Sequence, residues 1–302
     1  MAAKQLRVGY LGVGLMGHGA AKNILLKGWA LTVVGHRNRA PVEDLVRQGA
    51  AEAPSPAAAG ARSDVLFMCL PSSVEVERAV LGPDGLLDAV RPGMIVVDST
   101  TADPVSTRRL GEALAGRGCA MVDAPLGRTP KEAEEGRLST FLGGDPAHIA
   151  RVRPIIEAYA DTIIEAGPLG AGHTLKLVNN TISIGTCAVI AEALATAAKL
   201  GVDMRTLHEV VSAGGANSAM FQMMMPWVLE GDDSRLRGPL RIAGKDLRLF
   251  CKLADGVAAP VPIAAAVTQL LALVNAAGHR ERFMPALPGV LAQMAGAPMR
   301  EL

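Results

Sequence analysis

Aromatic residues are scarce in this chain of 302 residues: only 3% are Phe, Trp or Tyr, and the formal net charge is +1. Sequence-tolerant nucleic-acid binding relies on basic grooves and stacking aromatics, so this composition does not support such a partner. No uninterrupted apolar run reaches the ~18 residues expected of a membrane span. The N-terminus also lacks a secretory leader pattern. We therefore expect a cytoplasmic protein without a nucleic-acid or membrane partner.

Cysteine is present but never clustered. The sequence contains no CxxC motif and no histidine at metal-ligand spacing from the four scattered cysteines, Cys69, Cys119, Cys187 and Cys251. This pattern favours buried free thiols in a reducing compartment, and we expect no metal site. His18 is assigned no chemistry. His173 is interpreted as a neighbour of a helix N-terminus.

Apolar residues make up 50% of the chain, and its length favours two domains. In the first half, short apolar runs alternate with helical patterns. Strands are predicted at residues 6–11, 31–34, 65–70, 94–97, 121–123 and 139–142. Beyond the Gly/Pro-rich stretch Gly167–Gly172 the patterns are helical, beginning with a long helix over 174–200. This predicts an α/β domain at 1–168, with a doubly wound, mostly parallel sheet, and an all-helical domain at 169–302.

A glycine-rich turn follows the first predicted strand and opens a helix. It reads Gly12-Val13-Gly14-Leu15-Met16-Gly17, and in this context the spacing is typical of a dinucleotide site. The first glycine permits the tight turn, the second admits the pyrophosphate and the third allows close packing of helix on strand. The phosphates would meet the helix N-terminus. The alternative is a glycine-rich turn without a ligand.

The residues after the second predicted strand indicate which dinucleotide binds. NAD-binding domains usually place an acid about 20 residues past the glycines, on the ribose hydroxyl. This chain has Arg37-Asn38-Arg39 instead. A guanidinium binds a 2′-phosphate through charge-assisted bonds. We therefore predict that these residues contact the cofactor, with NADP(H) preferred and NAD(H) possible; the alternative is a solvated basic turn.

Lys176 and Asn180 are four residues apart in the long predicted helix, so they share a face, with Asn179 beside them. When a carbonyl is reduced, negative charge grows on its oxygen. A lysine ammonium, with a reference pKa of ~10.4, can donate a proton there. The oxidative direction requires a lowered pKa, which Lys245 could provide if it lies nearby. From spacing alone, a surface lysine is the simpler interpretation.

A set of short motifs resembles the β-hydroxyacid dehydrogenase family, the group of 3-hydroxyisobutyrate dehydrogenases and tartronate-semialdehyde reductases. The motifs occur in the family's order over nearly the whole chain: the glycine turn, Leu70-Pro71, Thr100-Thr101, Asp123-Ala124-Pro125, Gly170-Ala171-Gly172, Lys176-x-x-Asn179-Asn180 and Lys245-Asp246. The resemblance implies an N-terminal Rossmann domain, and an all-α substrate and oligomerisation domain joined to it by a long helix. It also implies an NAD(P)-dependent oxidoreductase acting on CH–OH groups, and a homodimer or homotetramer.

The resemblance further implies a role for individual residues. Lys176 would be the general acid and base, and Asn179 and Asn180 would bind the substrate. The nicotinamide side would be lined by Leu70, Pro71 and Thr100. From the helical domain, Lys245 would close over cofactor or substrate, and Asp246 would either support it there or serve only as a salt-bridge partner.

One segment departs from the usual family pattern. Where most members read Val-Ser-Gly-Gly after Asp123-Ala124-Pro125, this chain reads Leu126-Gly127-Arg128-Thr129-Pro130. The change resembles the sulfolactaldehyde reductase branch of the family. Arg128 could bind two oxygens of a sulfonate and Thr129 or a backbone N–H the third, so we predict substrate contacts from Gly127, Arg128 and Thr129. The alternative is that Arg128 pairs with Glu132, Glu134 or Glu135.

Together these observations predict hydride transfer between NADPH and a short anionic aldehyde or hydroxy acid, with sulfolactaldehyde as the first candidate. The alternative substrates are 3-hydroxyisobutyrate and tartronate or succinic semialdehyde. A dinucleotide-binding scaffold without catalysis is the alternative from a different functional class.

Overall fold

The computed structural model describes residues 6–297 and residue 299. The chain divides into two compact units, Met1–Lys176 and Leu177–Leu302. The domain boundary predicted at residue 168 lies earlier, because the Gly/Pro-rich stretch ends the last strand but not the first unit. The opening residues of the following helix remain hydrogen-bonded to the first unit, as detailed below.

The first unit is built on one nine-stranded sheet. Its strands are β1 Val8–Leu11, β2 Leu31–Val34, β3 Ala51–Ala53, β4 Val65–Met68, β5 Ile95–Asp98, β6 Ala120–Asp123, β7 Leu126–Gly127, β8 Leu138–Gly143 and β9 Ala160–Gly167. They lie in the order β3-β2-β1-β4-β5-β6-β8-β7, with β9 on β8. The six strands β1 to β6 are parallel to one another, whereas β8 runs antiparallel to β6 and β7. The predicted Rossmann sheet is confirmed.

Three strands, β3, β7 and β9, were not predicted. β3 reads Ala51-Glu52-Ala53, and neither alanine nor glutamate favours strands, so it forms through pairing with β2 alone. β7 has only two residues. β9 carries exposed polar residues among its apolar ones and runs directly into the Gly/Pro-rich stretch, which hides its pattern.

Helices cover both faces of this sheet. They are α1 Gly17–Leu26, α2 Ala40–Arg47, α3 Pro56–Ala61, α4 Ser73–Leu81, α5 Pro104–Ala115, α6 Pro130–Glu134 and α7 Pro146–Ile156. Successive strand residues point to opposite faces, and the core divides accordingly. Tyr10 and Phe67 are buried on one side, with Tyr159, whereas Leu66 and Met68 are buried on the other.

The second unit is helical, as predicted. The long helix α8, Ala171–Lys199, leads into it, followed by α9 Met204–Ala213, α10 Ala219–Glu230, α11 Leu240–Asp255, α12 Pro262–Val274 and α13 Leu287–Met294. Its larger core packs residues of α8 against α11 and α12, among them Ala191, Leu247 and Leu271. By length and composition alone, α8 and the segment Pro262–His279 could cross a membrane. Core helices of soluble proteins share this property, so it is weak evidence for a membrane.

Candidate active site

The sheet has a point at which the chain reverses its direction of winding, between β1 and β4. In open α/β sheets, ligands bind outside the carboxyl ends of the strands at such a point. The glycine turn leaves β1 there, Leu70 and Pro71 follow β4, and Thr100 follows β5. The backbone N–H of Leu70 donates to Thr100 Oγ1 at 3.0 Å. This hydrogen bond connects the loop after β4 to the loop after β5. The predicted nicotinamide-side residues therefore lie at the expected edge.

The three glycines of the turn have different surroundings. Gly12 has φ +87°, and a Cβ on it would lie 2.2 Å from the carbonyl oxygen of Cys69. A Cβ on Gly17 would lie 2.0 Å from the carbonyl oxygen of Gly12, whereas a Cβ on Gly14 would meet nothing within 4 Å. The fold itself therefore requires Gly12 and Gly17. Gly14 borders open space, which fits a bound pyrophosphate.

The other residues of the turn, Val13, Leu15 and Met16, lead into the helix α1. Val13 is buried, Leu15 is exposed and Met16 is half-buried. Met16 is the N-cap of α1, and no side-chain hydrogen bond caps this helix. The backbone N–H groups and the positive end of the helix dipole thus suit an anion such as a phosphate.

The predicted basic turn contains one paired and one unpaired arginine. Arg39 donates two hydrogen bonds to the Glu52 carboxylate, at 2.7 and 2.9 Å, and these bonds lower the pKa of Glu52. Asn38 Oδ1 accepts the N–H of Ala40 at the start of α2. Arg37 is exposed, and within the described residues its guanidinium has no ion pair. Of the two predicted phosphate ligands, only Arg37 is not already bound to a carboxylate.

The start of α8 is attached to the end of β6 by one carboxylate. Asp123, fully buried, accepts the backbone N–H of Gly170 on Oδ1 and that of His173 on Oδ2, both at 2.7 Å. Lys176 follows His173 by about one helical turn and is only 9% exposed. The helix that carries the predicted acid and base is therefore held against the sheet of the first unit.

The His173 ring lies in a buried acidic cluster that the sequence analysis missed. Its Nδ1 is 2.8 Å from Thr107 Oγ1, and its Nε2 is 3.9 Å from Asp98 Oδ2. Both Asp98 and His173 have no solvent exposure. Burial raises the pKa of Asp98, while the neighbouring His173 acts in the opposite direction. The sequence did contain one indication of this cluster. Asp98 and Asp123 are the last residues of two adjacent parallel strands, so they must lie at the same edge of the sheet.

In the segment that departs from the family pattern, residues 126–130, the side chain of Arg128 is bound by other residues of the first unit. Arg128, at φ +71°, pairs with Asp161 at 2.8 Å and donates to Thr162 Oγ1 at 2.9 Å. It also donates to the carbonyl oxygen of Arg137. The guanidinium thus already has three partners within the first unit, and its carboxylate partner is none of the nearby glutamates, which differs from the predicted alternative. Asp161 is nearer in space because β9 runs beside β8.

Thr129 is also hydrogen-bonded to a residue nearby in the chain. Its hydroxyl donates to Glu132, its backbone N–H donates to the same carboxylate at 3.1 Å, and the two residues form a capping box at the start of α6. Gly127 is buried in β7, where a Cβ would lie 2.3 Å from Ser139 Oγ. In this arrangement Gly127, Arg128 and Thr129, the three predicted anion ligands, all make contacts that stabilise the first unit.

His18, which was assigned no chemistry, joins three helices. Its Nδ1 lies 2.7 Å from Glu134 in α6, and its Nε2 lies 3.0 Å from Asp44 in α2. Lys22 of α1 also pairs with Glu134. The His18 contact, followed by Arg47, lowers the pKa of Asp44. The helix below the glycine turn is therefore braced on two sides by polar contacts.

In the second unit, the predicted substrate-side residues form a polar group around Asp246. Asn180 Nδ2 donates to Asp246 Oδ2 at 2.7 Å, and Lys245 Nζ lies 3.1 Å from Oδ1. Asp246 is 5% exposed. Asn179 is exposed, and its amide reaches Asn180 Oδ1 at 3.3 Å. Asp246 is thus a salt-bridge partner that also orients the Asn180 carboxamide.

None of the four cysteines forms a disulfide; Cys119 and Cys187 are buried, whereas Cys69 and Cys251 are half-buried. Within the described residues there is no group of three or more His, Cys, Asp or Glu side chains that could hold a metal ion.

Two family models match the chain, one for each part. Residues 7–167 match the NAD-binding domain of 6-phosphogluconate dehydrogenase, and residues 170–288 match the NAD-binding domain of NADP-dependent 3-hydroxyisobutyrate dehydrogenase. The chain belongs to the β-hydroxyacid dehydrogenase family. It is therefore an NAD(P)-dependent oxidoreductase that acts on a hydroxyl group.

Relatives in this family act on different substrates. The chain is 31% identical to 2-(hydroxymethyl)glutarate dehydrogenase of Eubacterium barkeri, over 97% of each chain. It is 31% identical to 3-sulfolactaldehyde reductase of Escherichia coli, over 90% of this chain and 91% of the relative. It is 33% identical to 3-hydroxyisobutyrate dehydrogenase of Pseudomonas aeruginosa, over 88% and 91%. The resemblance predicted from the motifs is confirmed for the family.

Solved structures agree with the fold. 3-Hydroxyisobutyrate dehydrogenase from Salmonella typhimurium superposes with a TM-score of 0.84 at 27% identity, covering 94% of this chain and 99% of the other. A protein named Psf3, solved with NADP+ and 2-OPP, superposes with a TM-score of 0.83 at 27% identity, covering 94% and 99%.

The glycine turn supports a prediction that separates binding from folding. Gly14→Ala should leave the melting temperature unchanged, because its Cβ points into open space, yet weaken dinucleotide binding by about tenfold, since a methyl group blocks close approach of the phosphates. Gly17→Ala is the matched comparison. It should cost about 1–3 kcal/mol of stability, because its Cβ overlaps a backbone oxygen.

Thermal denaturation and fluorescence titration with NADPH and NADH measure the two effects. Equal loss of stability in both variants, or unimpaired dinucleotide binding by Gly14→Ala, would contradict this assignment of the glycines.

Proposed function

We propose that this enzyme transfers hydride between NADP(H) and a short aldehyde or hydroxy acid that carries an anionic group, with Lys176 as the general acid and base. The observation that supports it most is the attachment of the Lys176 helix to the end of β6 through Asp123. This attachment lies on the same edge of the sheet as the open space beside Gly14. A proton donor and a dinucleotide site thus belong to one unit.

A bound nicotinamide supplies or accepts the hydride. In the direction of reduction, the Lys176 ammonium donates a proton to the substrate oxygen as negative charge develops there. In the direction of oxidation, the neutral amine of Lys176 takes the hydroxyl proton. The side chain is only 9% exposed, and a charge interaction in such a place is stronger than in water.

Asn180 has the role of a substrate ligand in this proposal. One amide hydrogen is donated to Asp246, which fixes the orientation of the carboxamide. The second amide hydrogen remains available for a substrate oxygen. Asp246 is held in turn by Lys245, so the three side chains act as one polar unit.

For the cofactor we propose a preference for NADP(H), carried by Arg37. Arg39 is neutralised by Glu52, so it contributes less net charge to a 2′-phosphate than its position in the sequence suggests. Arg37 is exposed next to it and retains its charge. The related structure with NADP+ supports the same preference.

As the specific substrate we propose sulfolactaldehyde. The Gly127-Arg128-Thr129 pattern and the sulfolactaldehyde reductase relative support it. The ion pair between Arg128 and Asp161 opposes it, because a sulfonate would have to displace that carboxylate. The carboxylate substrates 3-hydroxyisobutyrate and tartronate or succinic semialdehyde are the competing candidates.

We also propose that the enzyme is a cytoplasmic homodimer or homotetramer. Four cysteines without a disulfide among them are typical of a reducing compartment. On α8, Ile182 and Val189 are more than 60% exposed, and association of copies would cover such apolar side chains. Light scattering gives the oligomeric state.

The proton-donor role of Lys176 is tested by its removal. Lys176→Ala should lower kcat by about 10²–10⁴-fold, because the variant lacks the ammonium that donates the proton, and leave NADPH binding within about twofold. The control is Lys199→Ala, on the exposed end of the same helix, which should keep full activity. Steady-state kinetics and NADPH titration distinguish the outcomes. A Lys176→Ala variant that keeps the kcat of the wild type would contradict the proton-donor role.

Arg37 is tested through cofactor selectivity. Arg37→Ala should raise the KM for NADPH by about tenfold or more and leave the KM for NADH unchanged, because only NADPH carries the 2′-phosphate. Arg39→Ala should have a smaller effect. Arg117→Ala, an exposed arginine in the turn between α5 and β6, controls for the loss of one positive charge. Equal changes for both dinucleotides would refute the assignment.

Arg128 is tested with sulfonate, carboxylate and phosphate analogues of one three-carbon aldehyde. Arg128→Gly is suited to the left-handed backbone at this position, so it removes the guanidinium without adding strain. If Arg128 binds the sulfonate, this variant loses sulfonate turnover selectively, by about 10-fold or more, and Asp161→Asn, which frees the guanidinium, does not. An unchanged preference in Arg128→Gly would remove sulfolactaldehyde as the favoured substrate.

A further inference from the structure

We propose that Asp98 and His173 share one buried proton, and that this pair is a positioning device that links the nicotinamide-side loops to the helix carrying Lys176. Its catalytic consequence rests on the proposed function. The shared proton itself is a property of the first unit and can be tested without turnover.

The hydrogen bonds of Thr107 determine which nitrogen of His173 carries a proton. The Thr107 hydroxyl has one hydrogen, which it donates to the carbonyl oxygen of Asp103 at 3.0 Å. Its oxygen is therefore an acceptor towards His173 Nδ1, 2.8 Å away. With the Thr107 hydroxyl donating to Asp103, Nδ1 bears a hydrogen, and Nε2 is the nitrogen that faces Asp98.

In a neutral ring with its hydrogen on Nδ1, Nε2 would face the ionised Asp98 carboxylate, and two acceptors would meet in a dry site. His173 Nε2 and Asp98 Oδ2 are 3.9 Å apart, and within the described residues neither has a hydrogen-bond partner. Leaving such atoms unsatisfied costs about 1–3 kcal/mol each. A proton on either atom makes it a donor to the other, so that both polar atoms face a partner.

The remaining charges around His173 are consistent with one added proton. Asp123 Oδ2 lies 3.9 Å from Nδ1, and the Asp123 carboxylate already accepts two backbone N–H groups. With one proton on the Asp98–His173 pair, the cluster carries a single negative charge. This charge faces the N-terminus of α8, whose dipole is positive at that end.

The pair connects two parts of the site. On one side, Asp98 Oδ1 accepts the N–H of Thr100 at 3.0 Å, and Thr100 Oγ1 accepts the N–H of Leu70 at 3.0 Å. On the other, His173 belongs to the first turn of α8, and Lys176 follows in the next. A displacement of ~1 Å at a reacting group can cost about 100-fold in rate.

Two variants separate a shared proton from simple packing. Asp98→Asn imitates the protonated acid: its Oδ1 still accepts from Thr100, and its Nδ2 donates to His173 Nε2. It should keep kcat within about twofold. His173→Phe fills the space without a hydrogen bond and should lower kcat by about 10–100-fold at unchanged NADPH affinity. Ser63→Ala, which removes a buried hydrogen bond elsewhere in the first unit, should leave kcat unchanged.

Nitrogen-15 NMR of the histidine-labelled wild type reads the ring directly. We expect a protonated Nδ1, together with an Nε2 that is either protonated or an acceptor of a hydrogen bond; Asp98→Asn should shift only the Nε2 resonance. An unprotonated Nδ1, or an Nε2 without a hydrogen bond, overturns the shared proton. A kcat for Asp98→Asn as low as that for His173→Phe overturns it as well.

The NMR result holds even if no substrate is turned over, so failure of the proposed function is distinguishable from failure of this inference. If His173→Phe does not fold, Asp98→Asn and the NMR spectra decide the question.

Discussion

The carboxylate of Asp123 is the constraint on which the site depends. It sits at the carboxyl end of β6 and accepts two backbone N–H groups from the start of α8, in a place without solvent. Hydrogen bonds to a charged acceptor contribute about 1.5–3 kcal/mol each, and this pair also meets the positive end of a helix dipole. Because α8 is 29 residues long and passes from the first unit into the second, this contact sets where the long helix starts.

The parts of the site that were predictable from the sequence are those whose cause is local. The glycine turn from Gly12 to Gly17 needs its residues at fixed spacing after a strand, so its pattern alone indicated its place. The alternation of strands and helices likewise predicted the doubly wound sheet. The family resemblance added Lys176, which helix spacing by itself would have left as an ordinary surface lysine.

The parts that were not predictable depend on pairs far apart in the chain. Arg128 is followed closely by three glutamates, yet its partner Asp161 is brought to it by the pairing of β8 with β9, a strand that was not predicted. Arg39 is bound by Glu52 for the same reason, since β3 was also missed. In both cases the acid that pairs with the arginine lies on a strand that was not predicted, so the ion pair could not be predicted either.

The glycine turn has one more consequence. Gly12 is held against Cys69, and Gly17 against Gly12, by contacts within the fold that leave no room for a side chain. These contacts restrict the backbone of the loop without any contribution from a dinucleotide. Association then loses little backbone entropy, and the favourable energy of phosphate contacts appears as affinity instead of being spent on ordering the receptor.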